Sequence, residues 1–371
     1  MANIVYGLSG EGSGHSSRSK EMIRYLQKQG HTVKVTSYDR GYRNLKDEFD
    51  VLEIEGLSFV IEDNKISFSR TFTENLLTIS KRYESSNVLK EKYFKEFKPD
   101  CVISDFEPMT AYFALQYDIP LISIDNQHRI RYIELDYPND MVADAILVEN
   151  LIRLMIPRPD VSLITTFYFD KLKNERSFLF PPIMRQEVLD LQPQEEDYVL
   201  VYTNSGYDAL LQLLQTYQRE KFIVYGEKED CVFGNVTCKK PSKSGFLKDL
   251  ENCKAVIGTA GFTLMTEAFY LKKPFLAFPL GKQFEQEYNA FLLNKVGYGY
   301  AAKSLGKEVI SAFLYDLPEY KNNLANYEHK DNHEIEKKLD ELLNDNCLLL
   351  KQYHDKRRIL NFQNWFDSNE E

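Results

Sequence analysis

The sequence is sparing with chemistry-bearing residues: one tryptophan, six histidines and five cysteines among 371 residues. The cysteines, Cys101, Cys231, Cys238, Cys253 and Cys347, are odd in number and show no C-x-x-C spacing. That pattern favours reduced thiols over a disulfide framework, and reduced thiols are expected. Basic excess is missing too. The formal net charge of −10 argues against a nucleic-acid partner. No D-x-D occurs, so no acidic pair stands ready to hold a diphosphate through a divalent ion, and no metal or other cofactor is expected. There is no run of 18 apolar residues to cross a membrane. Met1 to Gly7 lacks the basic start of a signal peptide. The expected location is therefore the cytoplasm, with any membrane contact peripheral, on the inner face.

What the chain does have is length and alternation. It suits two domains rather than one, and 43% hydrophobic residues supply a core for each. Asn3 to Leu8 reads as an apolar strand, Gly10, Gly12 and Gly14 as a turn, Ser16 to Gln29 as a helix and Thr32 to Tyr38 as a second strand. This is the opening of a parallel α/β sheet. Asp50 to Ile54 continues as a strand, Glu74 to Phe97 as one long helix, and Cys101 to Ser104 as a strand ending at Asp105. Met109 to Tyr117, Pro120 to Ile124, Val142 to Met155 and Val161 to Phe169 extend the alternation.

Phe180-Pro181-Pro182 and the acidic stretch Gln192 to Asp197 mark a break. A second series then starts with strand Tyr198 to Tyr202, the turn Asn204-Ser205-Gly206 and a helix from Asp208 to Gln218. Glu334 to Asn344 and Cys347 to Phe366 close the chain as helices. We expect domains at 1–185 and 186–345, with 346–371 packing back on the first. Two parallel sheets with functional loops at their strand ends imply a cleft between the domains.

The most telling stretch runs from Ala255 to Ala268. It reads as a buried strand, a glycine turn (Gly258-Thr259-Ala260-Gly261) and a helix starting near Phe262 and Thr263, with Glu267 one turn in. Such a turn admits a phosphate close to the backbone, and the helix start offers unpaired N–H groups. A carboxylate suits the donating hydroxyls of a sugar. Lys273-Pro274, Pro279, Glu285-Gln286 and Asn289-Ala290 follow in order.

From Phe246 to about Gly299 this series resembles the donor-binding segment of GT-B inverting glycosyltransferases. That group includes the UDP-glycosyltransferases and the enzyme that adds N-acetylglucosamine to the lipid-linked peptidoglycan precursor. The resemblance implies that Gly258 to Thr263 cradle a diphosphate, that Glu267 accepts from the ribose, and that Glu285 and Gln286 contact the donor sugar. It also implies diphosphate contact at Asn204, Ser205 and Gly206 and base contact near Phe246. Thr259 departs from the plant members, which carry histidine there.

The first loop, Gly10-Glu11-Gly12-Ser13-Gly14-His15, has G-x-G-x-G spacing and so fits a dinucleotide fingerprint poorly. His15 reads either as a helix cap or as a general base, a role suited by histidine's titration near neutrality. The resemblance matches it to the family's catalytic histidine, with Asp105 as its carboxylate partner. Asp105 also reads as the N-cap of the helix after Pro108, and Glu107 competes for the partner role. Gly12, Ser13, Gly14, Glu107 and His128 are expected on the acceptor side. Arg129 to Ile133 and Leu151 to Arg158 mix basic and apolar residues, as a headgroup contact would, or as an ordinary packed helix would.

The expected fold is therefore α/β, GT-B, with two Rossmann-like domains facing a cleft. The expected activity is metal-independent, inverting transfer of a hexose from a UDP-sugar to a lipid, glycan or small-molecule hydroxyl, as in cell-envelope polysaccharide or glycolipid synthesis. A sugar-nucleotide 2-epimerase and a non-catalytic sugar-nucleotide-binding protein are the alternatives the sequence leaves.

Overall fold

The computed structural model describes residues 1–56, 61–62, 65–66, 79–203, 207–226, 229–279 and 283–367. Asn204, Ser205, Gly206 and the first turn of the expected helix at Glu74 lie outside them. The chain forms two compact units. Unit 1 comprises residues 1–62, 66–185 and 331–371, and unit 2 comprises 63–65 and 186–330.

Unit 1 begins β1 (Asn3–Leu8), α1 (Gly14–Lys28), β2 (Thr32–Ser37), α2 (Asp39–Leu45) and β3 (Val51–Glu53). A two-stranded ribbon, β4 (Ile61–Glu62) with β5 (Lys65–Ile66), precedes α3 (Ile79–Leu89). α3 runs into a seven-residue π-helical stretch, Lys90–Glu96, where an unbroken α-helix is expected. The wider turn lets the consecutive residues Tyr93 and Phe94 both reach the core. Then follow β6 (Cys101–Asp105), α4 (Pro108–Gln116), β7 (Leu121–Asp125), α5 (His128–Tyr132), α6 (Val142–Met155), β8 (Val161–Thr165) and β9 (Ser177–Phe180).

The main sheet is parallel throughout, in the order β3-β2-β1-β6-β7-β8-β9. Strands β6, β7 and β8 are buried at every position. Helices cover both faces of such a sheet, so its strands read as apolar runs rather than alternations. The two-residue side-chain period still sorts the faces. Ile4, Tyr6, Leu8, Cys101 and Ile103 join one core cluster, and Val5 and Val102 the other.

Unit 2 repeats the plan: α7 (Gln186–Leu189), β10 (Val199–Tyr202), α8 (Tyr207–Gln215), β11 (Phe222–Tyr225), β12 (Cys231–Phe233), β13 (Val236–Lys239), α9 (Lys243–Asn252), β14 (Ala255–Gly258), α10 (Phe262–Tyr270), β15 (Phe275–Ala277), α11 (Phe284–Val296), β16 (Gly299–Ala301), α12 (Lys307–Tyr315) and α13 (Leu317–Ala325). Its sheet runs β12-β13-β11-β10-β14-β15-β16 and is parallel except at the edge strand β12. There Cys231 stands directly opposite Cys238, and the two sulfurs are bonded. This corrects the expectation of five reduced thiols. A short hairpin brings the pair together, a juxtaposition that linear spacing alone does not reveal. Cys101, Cys253 and Cys347 are free and buried.

The last helix, α14 (His333–Asp367), returns to unit 1. It is interrupted at Asn344–Cys347, where Asp345, Asn346 and Cys347 all have positive φ. Its inner face, with Ile335, Leu339, Leu342, Leu343, Cys347 and Leu350, completes the core cluster that contains β1. The Asn332 side-chain amide ties the helix start to the Met184 main chain, its Oδ1 accepting from Met184 N–H and its Nδ2 donating to the Met184 carbonyl, both at 2.8 Å. His354 bridges Asp160 (3.1 Å) and Asp118 (3.2 Å), and Arg357 reaches Asp160 at 2.7 Å. Unit 2 thus ends at residue 330 and unit 1 resumes at 331, fifteen residues before the expected return at 346.

Candidate active site

In each sheet the chain order reverses beside the first strand. β1 lies between β2 and β6, and β10 lies between β11 and β14. Ligands of open parallel sheets bind outside the strand C-termini at such a reversal, where neighbouring loops diverge and leave room. In unit 1 the loops concerned follow β1 and β6, which carry His15 and Asp105. In unit 2 they follow β10 and β14, and the loop after β14 carries Gly258 to Gly261.

The registers make this concrete. Leu8 pairs with Asp105, and Ser9 N–H donates to the Asp105 carbonyl at 2.9 Å. The chain after β1 therefore leaves the sheet beside the Asp105 side chain. Gly10 is needed for packing, since a Cβ there would lie 2.0 Å from the Tyr38 carbonyl oxygen. Gly12 takes φ +72°, which glycine adopts without strain, and is exposed with Ser13. Gly14 opens α1, whose N-cap Ser13 makes no side-chain cap.

The first turn of α1 delivers His15. Its Nδ1 lies 2.8 Å from Asp105 Oδ1, and its side chain is 13% exposed. Its ring stacks at 20° to Phe106, centroids 6.5 Å apart. No hydrogen bond engages Nε2 among the described residues. Asp105 is wholly buried and saturated. Oδ1 faces His15 and Arg18 Nη2 (2.5 Å), and Oδ2 accepts from Arg18 Nε and Ser19 Oγ, both at 2.8 Å. Burial by itself would raise this carboxyl. The charges of Arg18 and His15, with their hydrogen bonds, overcome it and hold the group at about 2.

Glu107 does a different job. Its carboxylate caps α4, accepting from Met109 N–H and Thr110 N–H at 2.8 Å and from Thr110 Oγ1 at 2.7 Å. The cap of α4 is thus Glu107, and Asp105, read as either cap or partner, faces His15. Burial pushes the Glu107 carboxyl upward, with those donors opposing. His128 does not reach out to an acceptor. It is buried, with Nδ1 2.7 Å from Asp125 Oδ2 and its ring stacked on Tyr132. Asp125 also caps its backbone N–H at 2.8 Å, so the side chain folds inward over β7. Arg129, Ile130 and Ile133 are buried as well, while Arg131 and Tyr132 between them are half-buried. On α6, Ile152 and Met155 face inward, while Arg153 and Leu154 are exposed.

In unit 2 the glycine turn after β14 is held by three hydrogen bonds. Phe278 N–H donates to the Gly258 carbonyl at 3.0 Å, Gly261 N–H to the Thr259 carbonyl at 2.7 Å, and Asn289 Nδ2 to the Ala260 carbonyl at 2.7 Å. Gly261 is the N-cap of α10 and carries no capping side chain. A Cβ on Gly261 would meet nothing within 4 Å. Phe262 is buried and Thr263 half-buried in the first turn, and Glu267 is buried one turn later. Glu285 and Gln286 open α11, with Gln286 Nε2 donating to Gln283 Oε1 at 2.5 Å. Phe246, half-buried on α9, packs edge-on against Tyr202 (5.6 Å) and Tyr225 (5.1 Å).

The sequence pattern did not single out Arg18 and Ser19, and it left Asn289 without a role. The signal for Arg18 and Ser19 is their offset of three and four from His15, which puts all three on one face of a helix. Among the described residues no group of three His, Cys, Asp or Glu is arranged to hold a metal. His329 and His333 stand four apart, but His329 precedes the helix that His333 opens.

The sequence matches the family described as glycosyl transferase family 1 over residues 2–318. The chain belongs to that family. It is a glycosyltransferase with the GT-B fold. An uncharacterized glycosyltransferase of Methanosarcina mazei is 26% identical over 326 residues, covering 80% of this chain and 84% of the relative. Among solved structures, the calicheamicin glycosyltransferase CalG4 superposes with a TM-score of 0.67 at 14% identity, covering 93% of this glycosyltransferase and 99% of that chain. A Streptomyces sp. SF2575 glycosyltransferase, SsfS6, complexed with thymidine diphosphate, gives 0.58 at 13% identity, covering 92% and 100%. Among the described residues of the enzyme, no helix is long and apolar enough to cross a membrane.

Proposed function

We propose that this glycosyltransferase moves a sugar from a UDP-sugar to an acceptor hydroxyl by single displacement, with inversion and without a metal ion. Unit 2 holds the donor. The turn Gly258 to Gly261 and the first N–H groups of α10 face the diphosphate, and their partial positive charge stabilises the leaving nucleotide. Glu267 accepts from the ribose, and Glu285 and Gln286 from the sugar. Unit 1 supplies the base. His15 Nε2 takes the proton of the acceptor hydroxyl as its oxygen attacks the anomeric carbon. The bond to the diphosphate oxygen breaks from the opposite face, and Asp105 stabilises the imidazolium that forms.

The observation that carries this reading is the His15–Asp105 pair itself, set at the strand reversal of unit 1 with no hydrogen bond to Nε2 among the described residues. The test is incubation of the purified enzyme with UDP-, dTDP- and GDP-sugars and a range of alcohol acceptors. Acceptor-dependent release of UDP with inverted product, insensitive to EDTA, is the expected result. Isomerised donor without transfer, or release of another nucleotide alone, contradicts it.

A further inference from the structure

One helical turn after His15, α1 turns Arg18 toward the same carboxylate. Its guanidinium is buried and forks onto Asp105, while Nη1 donates to Asn126 Oδ1 at 2.6 Å just beyond β7. His15 Nδ1 lies 2.8 Å from Asp105 Oδ1 and also 2.8 Å from Arg18 Nη2. Only two neutral arrangements satisfy this geometry. If Nδ1 accepts from Nη2, the ring proton sits on Nε2, and the open nitrogen cannot take another. If Nδ1–H donates to Oδ1, Nε2 keeps its lone pair.

Charge counting decides what Arg18 contributes. A buried carboxylate needs one countercharge close by. Arginine supplies it permanently and has no acceptor atom to take a proton from the ring. With Arg18 in place, Asp105 is neutralised and the imidazole can rest uncharged. Without it, His15 is the cation the carboxylate would draw. The other ionisable groups around the cluster do not substitute. Tyr6, beneath it on β1, is pushed above the ordinary tyrosine range by burial and then by Asp105. Asp125 on β7 is held by His128, and Glu107 by the start of α4.

We propose that Arg18 is a positioning residue for the transfer reaction. It balances the charge of Asp105 and fixes its orientation, so that His15 rests as a neutral imidazole with Nδ1–H on Asp105 and Nε2 open. The inference deepens the reading of His15 as the base. Its first test does not depend on that reading.

That test is nitrogen NMR of the full-length protein, labelled at histidine, at pH 7.5. The wild type shows His15 protonated on Nδ1 alone. Arg18→Met shows a ring protonated on both nitrogens, and Arg18→Lys, which keeps the charge without the fork, returns to Nδ1 alone. A wild-type ring protonated on Nε2 or on both nitrogens overturns the inference, whether or not Arg18→Met folds. So does an Arg18→Met protein with an unchanged neutral ring. The kinetic arm uses sugar-nucleotide turnover. Arg18→Met lowers kcat about 100-fold with KM for the donor unchanged, and Arg18→Lys recovers most of it. An equal rise in KM for both variants would indicate a merely structural residue. If His15→Ala retains full turnover, the base assignment fails while the NMR result still judges Arg18.

Discussion

At the scale of single residues, the division of labour between Asp105 and Glu107 has measurable consequences. Asp105 is buried, ionised and held at about 2, below the 3.8 of an unfolded aspartate. A depressed carboxyl adds stability that is present above pH 3.8 and is lost as pH falls toward 2. The shift corresponds to about 2 kcal/mol. Asp105→Asn is therefore expected to flatten the acid limb of stability between about pH 4 and 2, measured by denaturant titration. It also removes turnover, since the carboxamide does not stabilise an imidazolium. Glu107 has the opposite sign. Its raised carboxyl favours the folded state below pH 4.5, and that contribution fades as pH rises through its folded value. Glu107→Ala is expected to cost about 1 kcal/mol or more through the lost helix cap. It should leave kcat within a few fold. Loss of turnover in Glu107→Ala with an intact fold would reverse the assignment.

Both carboxylates were visible in the sequence, and the resemblance favoured Asp105 as the partner of His15, but nothing local separated its role from that of Glu107. Asp105-Phe106-Glu107 places two acids two residues apart, and Phe106 at φ +56° turns them to different partners. Left-handed backbone at a phenylalanine is uncommon, so nothing local announced it. His128 misled for a related reason: it is polar and follows a strand, yet Asp125 draws it inward.

At the scale of elements, the glycine turn before α10 separates folding from binding. A side chain added at Gly261 would start in open space, with no atom within 4 Å of its Cβ, and the backbone there has an ordinary φ of −72°. Gly261→Val should therefore fold like the wild type. It should weaken nucleotide binding by at least tenfold, measured calorimetrically, if a diphosphate rests against that backbone. Unchanged affinity would move the diphosphate elsewhere. Strand–turn–helix order was legible here because glycine and apolar runs punctuate it. The π-helical stretch at Lys90–Glu96 was not, because tertiary packing sets it, whereas the interruption at Asn344–Cys347 falls where the sequence separates the helices Glu334 to Asn344 and Cys347 to Phe366. The His354 cluster also acts at this scale. Its hydrogen bond to Asp160, followed by an opposing effect of burial, raises the imidazole above its ordinary value. That contribution to docking α14 is full below pH 6.5 and declines as pH rises through the raised value. The opening free energy of α14, from hydrogen exchange corrected for the intrinsic pH dependence of amide exchange, is expected to fall from pH 6 to 8, and His354→Ala should abolish the trend.

At the scale of the whole molecule, the chain crosses from unit 1 to unit 2 and back, and the return is structural. Six apolar side chains of α14 sit in the core beside β1. A chain ending at Lys330 is expected to keep a folded unit 2 and to lose cooperative unfolding of unit 1. The alternating apolar pattern showed two parallel sheets, and the break near Pro181 showed where the second begins. The return at Asp331 was harder to place, since an amphipathic helix does not state which core it serves.

The central claim is a division of tasks: a base in unit 1 and a nucleotide site in unit 2. The most direct measurement pairs two variants on the same assays, UDP release from a UDP-sugar and equilibrium binding of UDP. His15→Ala is expected to lower the rate by about two to four orders of magnitude with its UDP affinity nearly unchanged. Glu267→Ala is expected to weaken UDP binding first. A His15→Ala enzyme that turns over at the wild-type rate, or that loses UDP binding along with its rate, would contradict the account.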